Sequence, residues 1–434
     1  MAHPVKVEHV SDESTPRADG AAPKRKAKVA RKHTVGRVIL LSTLVLALVT
    51  GLSIVYLVAR YNGNIEAISL DELGDDRPEE VYKGNGKPLD ILVMGSDSRE
   101  CEGCDIDQEG GAGSDTTILV HLSADRSRAY AVSIPRDSIV DRPETGCDSG
   151  GTDVMWNEAY ERGGPVCTLA QVEATTGIRV EHFVVVDFNS FGDMVDAVDG
   201  VPVCVPEDIV DRERGIFVPK GNPTVLTGDQ ALDYVRARYV GELIQQNDIS
   251  RIRRQQEFIG ALVREVKSAG TLTRIDRVVK FLEAATKSLT TDEEFASVTR
   301  LGRVAMQLQG IGLDEVKFVT LPTAYYPMDS EFRGKVYWEP EAEQIWKLIA
   351  RDEALPASLI GENAVSAAGP PGTETPSTEE PGAEEGPSTP ASPSQSPLET
   401  NSPSQSPSQS PTRSATTPSA PTTAPEDRIF GVCA

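Results

Sequence analysis

The chain has 434 residues and a formal net charge of −23, from 66 acidic and 43 basic side chains. Part of the acidity belongs to a C-terminal tail and to the 71–80 segment, and the basic run near the N-terminus is short and has no helix-turn-helix pattern, which argues against a nucleic-acid partner. Length alone would allow about three domains of roughly 150 residues, but the composition confines a foldable core to the middle of the chain.

Residues 1–37 are polar and carry the basic run "PKRKAKVARKH", with nothing to bury. Residues 38–59, "VILLSTLVLALVTGLSIVYLVA", are uncharged, and a helix of that length spans about 30 Å, the thickness of a bilayer's hydrocarbon core. A cleaved signal peptide would have a shorter apolar stretch and a small-residue cleavage site, so the expectation is one retained transmembrane helix. Lys24, Arg25, Lys26, Lys28, Arg31, Lys32 and Arg37 precede it, while "SLDELGDDRPEE" follows. The positive-inside rule then places the N-terminus in the cytoplasm and the rest outside, beginning with a linker over 60–87.

All six cysteines lie beyond the apolar segment, in the compartment where disulfides persist. Six cysteines allow fifteen pairings, so only local bridges are expected: Cys101 with Cys104, and Cys147 with Cys167 around "WNEAY". A redox CxxC would open a helix after a strand, whereas Cys101 and Cys104 lie in a Gly- and acid-rich stretch. Zinc is disfavoured because no second pair stands at ligand spacing.

The segment 88–360 reads as one α/β domain. "LDILVMG" (89–95), "TILVHLS" (117–123), "AYAVSIP" (129–135), "HFVVVDF" (182–188), "VPVCVP" (201–206) and "VKFVTLP" (316–322) are short β-branched runs bounded by turn residues. Helical patterns such as "CTLAQVEATTG", "FGDMVDAVDG" and "TGDQALDYVRAR" alternate with them, which predicts a central mixed β-sheet with helices on both faces. From 361 to 434 the chain is mostly Pro, Ser, Thr, Glu, Gly and Ala, too poor in apolar residues to offset the entropy of ordering, and a disordered tail is expected.

Within that domain "DYVRARYVGELIQQNDISRIRRQQ" (233–256) holds five arginines and no lysine. The guanidinium is a planar fork that grips phosphate or carboxylate through two parallel hydrogen bonds, so this composition points to an oxyanion. Thr227 and Gln230 form a capping-box pattern that starts a helix. Arg236 and Arg238 would point about 200° apart on that helix, so it must end near them if both meet one ligand. Arg251, Arg254 and Gln255 share one face of the next helix, with Asp248 at its N-cap.

Asp97 and Arg99 follow one buried strand and Asp115 opens the next, at strand ends where α/β folds hold ligands. Two carboxylates without histidine suit a hard cation such as Mg2+, although each aspartate also fits an ordinary turn or strand-entry role. "SIPRDS" adds Arg136 and Asp137. There is no GxSxG elbow, P-loop or HExxH, and His121 and His182 sit inside apolar strands. Arginines plus a metal clamp without a nucleophile suit phosphoryl transfer.

Taken in order, "ILVMGSDSR", "GSDTTILVHL", "AVSIPRDS", "WNEAYERGGP", "TGIRVEHFVVVDFNSFGDMVDAVDGVPVCVP", "LTGDQALDYVRAR" and "DISRIRRQQ" resemble the LytR-CpsA-Psr family of cell-envelope proteins over about residues 88–268. The resemblance implies a phosphotransferase that moves a glycopolymer from a polyprenyl-pyrophosphate carrier onto a cell-wall glycan acceptor, with the lipid in an apolar groove. It implies Asp97 and Asp115 as Mg2+ ligands, and Arg99, Arg136, Arg236, Arg238, Arg251 and Gln255 as pyrophosphate contacts. Arg136, Arg238 and Asp248 take the catalytic roles, Asp248 orienting or deprotonating the acceptor hydroxyl. Two departures stand out. Gly113 and Ser114 replace the arginine that many members carry before "SDT", and the acidic insertion "ECEGCDIDQEGGAG" separates Asp97 from Asp115. A polyprenyl-pyrophosphate hydrolase or a non-catalytic lipid-linked-glycan scaffold would use the same grip.

Overall fold

A computed structural model of the chain describes residues 32–96, 114–212, 215–237, 248–267, 274–361 and 364–369. It divides into two units, Met1–Leu57 and Val58–Ala434. Helix α1 (Lys32–Asn62) contains the apolar segment, and its stretch Val35–Asn62, whose most apolar 18 residues have a mean hydropathy of 2.6 and are not buried, is long and apolar enough to cross a membrane.

The second unit is built on an eight-stranded mixed sheet. Its strands are β1 (Glu66–Ile68), β2 (Leu89–Ser96), β3 (Ser114–Leu122), β4 (Ala129–Ile134), β5 (His182–Asp187), β6 (Leu289–Asp292), β7 (Val316–Thr320) and β8 (Ala364–Ser366), in spatial order β1-β6-β5-β2-β3-β4-β7-β8. β2 runs parallel to β5 and β4 parallel to β7, while β3 is antiparallel to both of its neighbours.

Strand alternation splits the core in two. Leu92, Met94, Leu119, Val132 and Ile134 point to one face, where they meet α2 (Gly164–Thr176) and the tryptophans Trp156 and Trp346. The other face presents Ile118, Ala131 and Phe318. Past it, α3 (Phe188–Ala197), α4 (Gly228–Arg236), α5 (Asp248–Lys267) and the 201–226 hairpins enclose a further core around Tyr234 and Phe258. α6 (Ile275–Ser288) and α7 (Val298–Gln309) follow α5, and α8 (Pro340–Ala350) buries Ala342, Ile345, Trp346 and Ile349, the i, i+3, i+4, i+7 stripe of an amphipathic helix.

Two boundaries and one strand pairing go beyond the sequence expectation. The expected linker 60–87 contributes to the fold: β1 extends the sheet beside β6, and Arg77 forks onto Glu173 at 2.6 Å and onto the Val180 carbonyl. Its polar composition hid this, because an edge strand of three residues carries no period. Beyond residue 360, β8 pairs with β7, so the domain runs past the expected start of the tail. "VPVCVP" is a strand, but it pairs with Gly221–Leu226 in a separate ribbon. The Cys147–Cys167 bridge is present and Cys204 is also disulfide-bonded; the expected Cys101–Cys104 pair lies outside the described residues.

Candidate functional site

The register brings the ends of five strands to one rim of the sheet. Ser96, the last residue of β2, lies opposite Asp187 of β5 and Ser114 of β3, and Ser133 of β4 lies opposite Thr320 of β7. Between the Gly95–Thr116 and Ser96–Ser114 pairs the register shifts, which leaves Asp115 as the extra residue of a β-bulge at the sheet rim. Asp97, Arg99 and the side chain of Asp115 lie outside the described residues. Two polar groups nearby are settled locally. Ser114 Oγ donates to the Thr116 carbonyl at 2.7 Å, and the Tyr160 hydroxyl, its pKa raised by burial, bonds to Ser96. Thr116 Oγ1 is buried with no hydrogen-bond partner among the described residues.

Arg136 follows β4 after one residue, Pro135. Its carbonyl accepts from Asn157 N at 3.2 Å, which fixes the backbone, and its Nε lies 3.7 Å from Asp137, whose carboxylate is closer to Lys335 Nζ at 3.1 Å. Arg236 is the last residue of α4. A Thr227–Gln230 capping box starts this helix, as its sequence predicts, and Ala237 leaves it at φ −55°, ψ 124°, so the helix ends where the two-arginine argument requires. The Arg236 guanidinium lies 5.0 Å from the Phe188 ring centre, within cation–π range. Phe188 in turn sits over Gly95, where a Cβ would come within 2.9 Å of the ring. Arg238 lies outside the described residues.

Helix α5 opens at Asp248, whose side chain is outside the described residues; Arg251 and Arg253 are buried in its first turns. Arg254 and Gln255 point to α4. Arg254 donates to the carbonyls of Tyr234 and Ala237, and Gln255 Nε2 lies 3.4 Å from the Val235 carbonyl, so both serve carbonyls that the end of α4 leaves open. Gln256, fully buried, reaches Ser133 Oγ at 3.0 Å and Thr320 Oγ1 at 3.1 Å and pins α5 across the sheet edge. At the next residue, burial pushes the Glu257 carboxyl up to about 7 despite Arg264 and Arg253. The arrangement therefore collects Arg136, Arg236 and the start of α5 around the rim where β2 ends and β3 begins.

Phe188, Gly95 and Gln256 were not singled out by sequence. A phenylalanine after a strand and a glycine before "SD" look like core and turn, and only the register reveals that they stack. The histidines are structural, as their apolar settings suggest: His121 lies between Asp90 at 2.8 Å and Asp352 at 3.2 Å, and His182 lies 3.1 Å from Asp292 and is stacked on Phe295.

The model of the LytR_cpsA_psr family matches residues 56–353. A cell wall biosynthesis protein, LcpA of Corynebacterium glutamicum, is 31% identical over 60% of this chain and 55% of its own length. The polyisoprenyl-teichoic acid–peptidoglycan teichoic acid transferase TagV of Bacillus subtilis is 29% identical over 72% of this chain and 76% of its own. Thus the chain spans little more than half of LcpA and three quarters of TagV. A LytR-Csp2A-Psr enzyme from Actinomyces oris shares the fold, with a TM-score of 0.51 and 17% identity over 66% of this chain and 96% of that one.

Proposed function

The chain belongs to the LytR-CpsA-Psr family, and from that premise we propose that it is a membrane-anchored phosphotransferase moving a glycopolymer from a polyprenyl-pyrophosphate carrier onto a cell-wall glycan. The observation that carries this reading is the convergence of Arg136, Arg236 and the arginine-rich start of α5 on the sheet rim that ends in Ser96 and begins again at Ser114. Fixed guanidinium groups bind a pyrophosphate and stabilise the charge that spreads over a transferring phosphoryl group. Transferase activity in the name of TagV supports the same chemistry.

In the proposed reaction the acceptor hydroxyl oxygen bonds to the glycan-bearing phosphorus while its proton passes to Asp248. The bond from that phosphorus to the bridging oxygen breaks, and polyprenyl phosphate leaves with the electron pair. Arg136 and Arg238 stabilise the phosphoryl group in flight; Arg99, Arg236, Arg251 and Gln255 hold the pyrophosphate. Asp97 and Asp115 fit a Mg2+ site: two carboxylates, with Asp115 at a bulged strand start beside Thr116, whose hydroxyl has no hydrogen-bond partner among the described residues, match a hard cation that shares its shell with phosphate oxygens. Bound there, Mg2+ would neutralise charge on the pyrophosphate.

The lipid is assigned to the α5 side of the sheet. In the cluster directly on that face, among the described residues, Ile118, Ala131, Phe318 and Ala367 are fully buried, while Val93, Val120, Ile259 and Val316 stay half-buried. An apolar face so thinly filled suits a polyprenyl chain. The helix Val35–Asn62 anchors the protein with its N-terminus in the cytoplasm and the second unit outside.

The test is transfer by the full chain in detergent, with a polyprenyl-pyrophosphate-linked glycan and a peptidoglycan oligomer, in Mg2+ or EDTA. Coupling that EDTA abolishes and Arg236→Ala lowers by about 10²-fold or more is expected. Cleavage without coupling would replace the transferase with a hydrolase, and binding without turnover would leave a scaffold.

A further inference from the structure

Beside the Arg136 loop stands a hairpin of two short strands, Thr323–Tyr325 and Val336–Trp338. It is stitched to that loop: Val336 N donates to the Asp137 carbonyl at 3.1 Å, Lys335 Nζ lies 3.1 Å from the Asp137 carboxylate, and Trp338 Nε1 donates to Ser138 Oγ at 3.0 Å. At its turn Tyr326 centres an aromatic cluster, 5.0 Å from the Phe332 ring and 5.2 Å from Tyr337. These rings do not belong to a core. Tyr337 is 41% exposed and the neighbouring Met328 77%.

An exposed aromatic patch with a polar rim next to a charged site marks a ligand surface. The rim here is Lys335 and Asp153, the latter close enough to act electrostatically on the Tyr326 hydroxyl. Aromatic rings with polar edges fit a pyranose, whose C–H face packs on the ring while its hydroxyls bond to the rim. Alongside, Trp338 also lines a groove with Val140, Asp141, Pro143 and Thr175, which continues the surface for a polymer longer than one sugar.

The side of the sheet selects which glycan this is. Trp338 packs 5.7 Å from Trp156 and 5.9 Å from Trp346, against the core on the face opposite α5. With the lipid on the α5 face, in-line displacement requires the attacking oxygen to approach from the other side of the phosphorus. That is the side of the hairpin.

We propose that the hairpin surface of Tyr326, Phe332 and Tyr337 is the acceptor subsite, stacking a sugar ring of the wall glycan and presenting its hydroxyl to the phosphorus beside Arg136. The inference rests on the transferase reading. The bond changes are those of that reaction, with the acceptor oxygen bonding to phosphorus, its proton going to the base and polyprenyl phosphate departing with the electrons of the broken bond.

The experiment measures the KM for a peptidoglycan oligomer and the KM for the lipid-linked donor separately, for wild type, Tyr337→Ala and Tyr337→Phe in the full chain. Tyr337→Ala is expected to raise the acceptor KM about tenfold while the donor KM and the melting temperature hold, and Tyr337→Phe to restore it. An unchanged acceptor KM in an enzyme that transfers overturns the subsite and leaves the transferase standing. A wild type with no transfer overturns the transferase. Saturation-transfer NMR with the oligomer alone then decides the surface: binding that Tyr337→Ala removes supports it, and equal or absent binding overturns it.

Discussion

Arg236 is held by what lies beneath it. The stack of Gly95, Phe188 and Arg236 leaves no room for a methyl group at the first and sets the position of the last. Arg236→Lys keeps the charge but loses the planar fork and its fit to the ring, so transfer should fall about 10²-fold, near the cost of removing one transition-state donor, with little change in melting temperature. Gly95→Ala should reach a similar place from below: the ring must shift, and a kinetic assay would find lowered kcat/KM with wild-type affinity for acceptor. Wild-type kinetics in Gly95→Ala would mean that the ring does not position the arginine. None of this was legible in the residues singly. The arginines announce themselves by type and clustering, whereas Phe188 acquires its role from the pairing of β2 with β5.

At the scale of elements, the helices were the more readable part. The Thr227–Gln230 cap fixed the start of α4, and the geometry of two arginines two residues apart required its end. Short strands at and next to the sheet edges were not readable, because β1, β6 and β8 have three or four residues each and too few positions to display a period. The same limit hid the clamp at the far end of β2 and β3. Burial opposes a charge on His121, but hydrogen bonds to Asp352 and Asp90 outweigh it and lift the imidazole to about 9. A pKa raised on folding gives stability that is whole below the unfolded value near 6.5 and is lost as pH rises through about 9. His121→Gln should therefore cost about 3–5 kcal/mol at pH 6, the usual penalty for breaking a buried pair. The gap to wild type should narrow between pH 7 and pH 10 in denaturant titrations; a gap independent of pH would show that the imidazole is neutral in the folded protein.

The whole molecule combines a membrane-length helix with a domain closed by a disulfide over 20 residues, Cys147–Cys167. That bridge joins the loop after Arg142 to α2, so it secures the floor under Trp156 and, through Asn157, the backbone of Arg136. Closing a loop of this length stabilises a domain by about 3 kcal/mol. Paired Cys147→Ser and Cys167→Ser changes should lower the unfolding free energy by about that amount, and an unchanged denaturation midpoint would contradict it. The general layout was legible in the sequence: an apolar helix, an α/β middle and a low-complexity end are properties of composition. The aromatic hairpin was not, since Tyr326, Phe332 and Tyr337 stand in a stretch with turn chemistry, and only the bonds from Asp137 and Ser138 bring it next to an arginine almost two hundred positions earlier.

The carbonyls of Tyr234, Val235 and Ala237 are held by Arg254 and Gln255, so the end of α4 and the start of α5 are fastened directly to each other. These bonds hold the end of α4 against α5 independently of the covalent connection over residues 238–247. A chain nicked by a protease within that connection would remain one assembled particle on a sizing column, its two pieces separating only in denaturant, and the contact between α4 and α5 would survive the cut as a noncovalent joint between fragments.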